Sequence, residues 1–290
     1  MSRRRPPSTH GLAVIDKPAG MTSHDVVGIV RRRFAERQVG HAGTLDPDAT
    51  GVLLVGVGRV TRLLRFLTDL GKTYTAEVVF GTTTDTLDSS GTVTGSFEMT
   101  GLDLARVRAA AQQLTGDIEQ VPPMVSALKV GGRRLHELAR EGVTVDRVAR
   151  PVRVERFVVE ATTDPMVMSI EVQCSKGTYI RSLADDLGRL CGGGAHVRAL
   201  RRTAVGSFTE AEARPPDEAA LLSPAEALRD LARVEVADEV ATRICRGAVL
   251  DAAEGFDGPG PWAVVDVRGE LLAVYEPFGD GLAKPAVVVA

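Results

Sequence analysis

Asp46 stands in the segment Gly40-His-Ala-Gly-Thr-Leu-Asp-Pro-Asp-Ala-Thr-Gly51, in a loop that runs straight into the apolar stretch Val52-Leu-Leu-Val-Gly-Val57. A carboxylate on a rigid loop at the mouth of a core strand can be held for covalent attack. An unperturbed Asp, with a pKa of about 3.9, is ionised at neutral pH without an activating base. The same residues also fit a bland reading, in which Asp46 closes an Asx-turn with Pro47 behind it.

Four further segments carry side chains with chemical use. Lys72-Thr-Tyr74 opens a strand, and a Tyr beside a Lys is either a platform for an unpaired base, worth about 1–3 kcal/mol of stacking, or a strand-edge core residue. In Cys174-Ser-Lys-Gly-Thr-Tyr-Ile-Arg-Ser-Leu183 a strand turns into a helix at Lys176-Gly-Thr178. Arg181 then falls in the first helical turn, where a cation opposes the dipole. It is either solvated or gripping a specific anion. Gln120 to Gly142 joins a Pro-rich extended stretch to a short basic helix, a mobile RNA-gripping arm or a plain loop. Arg198-Ala-Leu-Arg-Arg202 is a basic cluster around Leu200. Asp46-Pro-Asp-Ala-Thr50 also fits the D-x-D-x-T pattern of haloacid-dehalogenase-like phosphatases, which phosphorylate an aspartate with magnesium help. In that family an apolar strand precedes the motif, whereas Gly40 to Leu45 precedes it here, and Lys176 and Asp185-Asp186 fit that fold's order poorly.

The elements that must position these residues follow from periodicity and punctuation. Gly11 to Asp16 reads as a strand, Lys17 to Gly20 as a turn, and Thr22 or Ser23 as the N-cap of a helix toward Phe34. Strands are expected at 52–57, 74–80, 93–97 (with a turn at Asp88-Ser-Ser-Gly91), 152–161, 166–174 and 197–200, and helices at 104–114 and 179–190. The order is that of an α+β domain around a mixed, largely antiparallel sheet. Ala-, Glu- and Pro-rich residues 210–232 mark a junction, followed by short apolar pieces, Val240 to Ile244 among them, that read as a small β-rich domain. The expected organisation is a disordered arm at 1–10, a catalytic domain at 11–230 and the β domain at 231–290.

The net charge of −3 conceals an asymmetry. Residues 1–205 hold 28 Lys and Arg against 22 Asp and Glu, whereas residues 206–290 hold 7 against 16. A basic body with an acidic tail fits an RNA-binding catalytic domain joined to another unit. No apolar run reaches membrane-spanning or signal-peptide length, so the chain reads as soluble and cytoplasmic. Cys174, Cys191 and Cys245 form no C-x-x-C pair. They are expected as buried small hydrophobes, with neither zinc nor a disulfide framework implied.

Together these segments resemble the bacterial tRNA pseudouridine-55 synthase family, TruB, over about residues 11–230. The matching motifs, in family order, are Asp16-Lys-Pro-Ala-Gly-Met-Thr-Ser23, Val39-Gly-His-Ala-Gly-Thr-Leu-Asp-Pro47, Lys72-Thr-Tyr74, Gln120-Val-Pro-Pro123 with Ser126-Ala-Leu-Lys129, and Cys174 to Arg181. The resemblance implies that Asp46 is the nucleophile, that Arg181 pairs with it, and that Tyr74 stacks on the flipped uracil. It further implies that Tyr179 and Leu200 line the base pocket, that Lys17 and Pro18 buttress the loop, that His41 meets the RNA where the flipped base was, and that Lys176 contacts substrate. It implies an RNA-gripping insertion at about 122–151, a PUA-like tail and the T-arm of tRNA as partner; a monomer is expected, and no cofactor or metal is expected for a reaction that gains and loses no atom. His136 stands where the family usually shows a tyrosine.

The chemistry such a site must perform is compact. Making pseudouridine breaks the bond from ribose C1′ to uracil N1, turns the base and joins C1′ to C5, with no atom gained or lost. One carboxylate suffices, because a uracil anion leaves more readily than a sugar alkoxide. Ionised Asp46 is expected to attack either C1′ or uracil C6, or to abstract a ribose proton, with Arg181 orienting it and holding its pKa low. The remaining alternative is an RNA-binding or RNA-folding module without catalysis.

Overall fold

The computed structural model describes residues 8–126, 128–143 and 145–289. Residues 1–7 of the expected arm, and the side chain of His136, lie outside the described residues. Residues 8–10, expected as part of that arm, are tied down instead: the Ser8 N–H donates to Glu36 and the Arg59 N–H to His10 Nδ1.

The main sheet has nine strands. In chain order they are β1 (Gly11–Lys17), β2 (Val39–Ala42), β3 (Thr50–Val57), β4 (Lys72–Phe80), β5 (Gly116–Gln120), β6 (Arg150–Ala161), β7 (Val167–Cys174), β8 (Ala195–Val205) and β9 (Phe208–Thr209). Their spatial order is β1-β3-β8-β4-β7-β6-β5, with β2 beside β3 and β9 beside β8. Every pair is antiparallel except β3 with β8. The expected α+β class and antiparallel character hold. Val93–Ser96 lies apart from this sheet, paired with Thr82–Thr84 in a two-stranded ribbon across the Asp88–Gly91 turn.

Alternation along β1 and β3 explains their unbroken apolar composition. Ala13, Ile15, Leu53 and Val55 point to a core closed by helices α1 (Ser23–Arg33), α2 (Leu104–Gln113) and α3 (Ile180–Leu190). Leu12, Val14, Val52 and Leu54 point to the opposite face, where Phe208 and Leu228 meet Val265, Val274 and Val287 of the C-terminal part. A strand buried on both faces needs no polar positions.

The C-terminal sheet runs in the order Ala232–Val236, Trp262–Asp266, Leu271–Phe278, Leu282–Val288, Leu250–Asp251. Arg59 and Arg62 donate to the carbonyls of Val289 and Val288 (2.7 and 2.8 Å), joining this sheet to the body. Two expectations fail here. Val240 to Ile244 belongs to a helix, Asp238–Cys245, because Val240, Ala241 and Ile244 at helical spacing turn one face onto the sheet. Cys245 is exposed on that helix, while Cys174 and Cys191 are buried.

The parallel contact between β3 and β8 requires a glycine. Gly51 has φ +99°, and a Cβ there would stand 2.2 Å from the Arg202 carbonyl oxygen, a backbone atom that cannot move aside. Gly51→Ala is expected to destabilise the fold by about 3 kcal/mol or more. Thermal unfolding reads this directly, and an unchanged Tm would contradict it.

Candidate active site

The loop that carries Asp46 is fixed from three sides. Thr22 caps α1 in a reciprocal box with Asp25, so the helix begins where Ser23 can reach the loop. The Ser23 hydroxyl accepts the Leu45 N–H (2.9 Å) and donates to the Leu45 carbonyl (3.1 Å). Lys17, fully buried, donates from Nζ to the carbonyls of Pro47, Met21 and Pro18 at 2.8, 2.6 and 2.9 Å. Burial lowers its pKa to about 8, with Asp48 and Asp46 opposing the shift. Arg202 donates from Nε to Val52 O (2.7 Å) and from Nη2 to Gly43 O (3.2 Å). The turn itself closes through the Asp46 carbonyl and the Ala49 N–H (3.2 Å). The carboxylate is therefore not spent on an Asx-turn.

That carboxylate meets Arg181, whose Nη2 lies 2.9 Å from Asp46 Oδ2. Arg181 is 4% exposed although it stands in the first turn of α3. Its guanidinium also faces Asp88 (3.4 Å) and donates to the carbonyls of Thr86 (2.7 Å) and Val125 (2.8 Å). Two carboxylates and two carbonyls thus offset the unfavourable dipole and the desolvation of the cation. Asp46 is 41% accessible yet enclosed by the cleft walls. Desolvation raises its pKa above the ordinary carboxylate value, Arg181 opposes the rise, and Asp88 adds to it. Arg181 pulls in the expected direction, but burial outweighs it, so the expectation of a low pKa is corrected.

Asp46, Tyr74, Arg181, Tyr179, Leu200 and Lys176 all line one cleft of about 250 Å³. Tyr74 stands on β4, which is not the neighbour of β3 in the sheet. β8 lies between them, and one row across the sheet reads Gly51, Arg202, Tyr74, Val172. Tyr74 is 9% exposed, and burial raises its phenol pKa. Lys176 pairs with Asp69 (2.7 Å). Two residues stand elsewhere: Lys17 is behind the loop, and His41, on β2, meets the His24 ring edge-on at 5.7 Å outside the lining of that cleft. Burial first, then His24 and Arg202, lower the His41 pKa. Of the partners the phosphatase pattern would need, Lys176 lines the cleft but is paired with Asp69, while Asp185 turns to Arg189 (2.7 Å) and neither it nor Asp186 lines the cleft.

Three site residues escaped the sequence reading. Asp88 shares Arg181 from a loop docked on β8. Gln120, 2% exposed, clasps the Tyr179 backbone, accepting its N–H (2.8 Å) and donating to its carbonyl (3.1 Å). Arg202 was read only as part of a basic cluster. Strand alternation through Leu200 would have separated it from Arg201, which faces Asp16 instead.

Residues 31–180 match the TruB family pseudouridylate synthase N-terminal domain. The chain belongs to the TruB family of pseudouridylate synthases. Residues 181–228 match the tRNA pseudouridylate synthase B C-terminal domain. The chain is 46% identical over 287 residues to tRNA pseudouridine synthase B of Mycobacterium tuberculosis strain H37Rv, covering 96% of this chain and 95% of that relative. It is 52% identical over 291 residues to the Mycolicibacterium paratuberculosis K-10 protein of the same name, covering 97% and 98%. Among solved structures, a chain of a Cbf5-Nop10-Gar1 complex shares the fold with TM-score 0.76 at 23% identity, covering 97% of this chain and 85% of that one. An H/ACA RNP bound to a substrate RNA containing 2′-deoxyuridine aligns with TM-score 0.72 at 22% identity, covering 97% and 85%. TruB membership makes the chain an isomerase that turns a uridine residue into pseudouridine. No described helix is long and apolar enough to cross a membrane.

Proposed function

We propose that this TruB-family chain isomerises uridine 55 in the T-arm loop of tRNA, as a monomer, with Asp46 as nucleophile. The observation that carries the reading is the Asp46–Arg181 pair, opening into the cleft that Tyr74 and Leu200 line. A stacked uridine reaches such a cleft only by flipping out of the RNA, at a cost of a few kcal/mol that an aromatic face helps to offset. Tyr74 supplies that face, Leu200 and Tyr179 confine the freed base, and Asp46 in its ionised form attacks while Arg181 holds the carboxylate in line. Lys17 buttresses the loop and Lys176 meets the RNA backbone at the cleft mouth. His41 takes the place the base vacates, residues 122–151 grip the arm, and the PUA-like C-terminal unit adds RNA contact. The chemical names of the relatives support tRNA as substrate.

The test is incubation of the purified protein with T-arm stem-loop RNA, followed by mass spectrometric placement of a uracil-specific label. Pseudouridine at position 55 alone is expected, and modification at another uridine, or none, overturns the reading. Tyr74→Leu removes the stacking face, worth about 1–3 kcal/mol per base, and is expected to slow single-turnover conversion by roughly 10- to 100-fold. Affinity, which rests on phosphate contacts across the wider surface, should change little. A loss of affinity matching the loss of rate would place Tyr74 in docking rather than in the reaction.

A further inference from the structure

The cations around the cleft are unequally compensated. Arg181 is matched by Asp46 and Asp88. Arg202, 1% exposed, and Lys72, 7% exposed, also line the cleft, yet among the described residues neither forms an ion pair with a carboxylate. Arg202 is held by the carbonyls of Val52 and Gly43, and Lys72 by those of Thr68 and Leu70 (2.6 Å each). They stand on either side of Tyr74: Arg202 is its cross-strand partner on β8, and Lys72 precedes it by two residues on the same face of β4. Burial, and then the neighbouring Arg202, lower the Lys72 pKa to about 8.

Burying two like charges side by side without a counter-ion works against folding, and such arrangements persist where a site uses the field. The reaction supplies the missing anion. When the N1–C1′ bond breaks, its electron pair stays on N1 and spreads to O2 and O4 of the ring, while an Asp46 oxygen donates a pair to C1′. One negative charge thereby moves from Asp46, beside Arg181, to the pyrimidine, beside Tyr74. C5 then attacks C1′, the Asp46 oxygen leaves with its pair, the C5 proton departs to solvent and N1 takes one up, which restores the starting balance.

Resting on the proposed isomerisation, we infer that Arg202, supported by Lys72, stabilises the anionic pyrimidine while it is detached from the ribose. Both cations are fixed before reaction by backbone carbonyls, so no reorganisation accompanies the transfer of charge. That is the condition under which electrostatic stabilisation is most effective.

A leaving-group comparison tests this. Single-turnover cleavage of the N-glycosidic bond is measured for wild type, Arg202→Gln and Arg202→Lys on T-arm RNA carrying uridine or 5-fluorouridine, whose fluorine stabilises the ring anion by induction. With uridine, Arg202→Gln is expected to lose roughly 10²–10³-fold, the scale of removing one preorganised donor, and Arg202→Lys much less. With 5-fluorouridine the Arg202→Gln loss is expected to shrink by about tenfold or more, because the anion then needs less help. Equal losses on both substrates would mean that Arg202 only shapes the loop, and would overturn the inference. If Arg202→Gln does not fold, Lys72→Gln is read by the same ratio, and equal losses there overturn it equally. Wild-type protein that forms no pseudouridine on the uridine RNA and cleaves the glycosidic bond of neither RNA contradicts the proposed function itself, a result distinct from an unchanged ratio.

Discussion

Asp46→Asn is expected to abolish isomerisation, by roughly 10⁵-fold or more, while leaving RNA binding and fold nearly unchanged; losses of this size follow removal of a nucleophile. The side chain is replaced by one of the same shape, and the loop does not depend on the carboxylate. Its turn closes through the Asp46 carbonyl, and Ser23, Lys17 and Arg202 hold its neighbours through backbone atoms. Arg181 keeps Asp88 and the carbonyls of Thr86 and Val125. Tritium release from C5-labelled uridine in T-arm RNA measures the reaction, and filter binding measures affinity. Release at a rate close to wild type would remove Asp46 from the mechanism.

Arg181→Met is expected to lower kcat by roughly 10²–10³-fold, the range for deleting one electrostatic partner in a preorganised site. It also leaves Asp46 and Asp88 facing each other without a cation, so some loss of stability is expected as well. The pH profile separates orientation from mere unfolding. Asp46 reacts as the carboxylate, so activity falls as pH drops through its pKa, which already lies above the ordinary value because burial outweighs Arg181. Without Arg181 nothing comparable opposes burial and the repulsion of Asp88, so the acid limb moves to higher pH. A limb that stays in place, or moves to lower pH, would contradict the coupling.

Local patterns carried far into this fold. Thr22 as cap, the alternation of β4, and the strand-to-helix turn before Arg181 were legible because each is decided within a few residues. What was not legible depends on pairing between distant segments. β8 between β3 and β4 brings Arg202 from 150 residues away to the Val52 carbonyl, and no short-range signal specifies the parallel contact that does so. Asp88 joined the site for the same reason, through a bridge to Val197. The Asp238–Cys245 helix was missed by weighing the β propensity of Val240 and Ile244 above their spacing, a preference that tertiary burial overrides. Asp46 itself was legible as a position, but its pKa was not, since that depends on cleft walls contributed by β4, β8 and α3.

The most direct measurement is mass spectrometry of tRNA from cells lacking the protein, complemented with either the wild-type chain or Asp46→Asn. Pseudouridine at position 55 should be missing from the deletion strain, return with the wild-type chain, and stay missing with Asp46→Asn expressed to the same level. Pseudouridine 55 present without the protein, or restored by the Asn variant, would contradict the assignment of this reaction to this cleft.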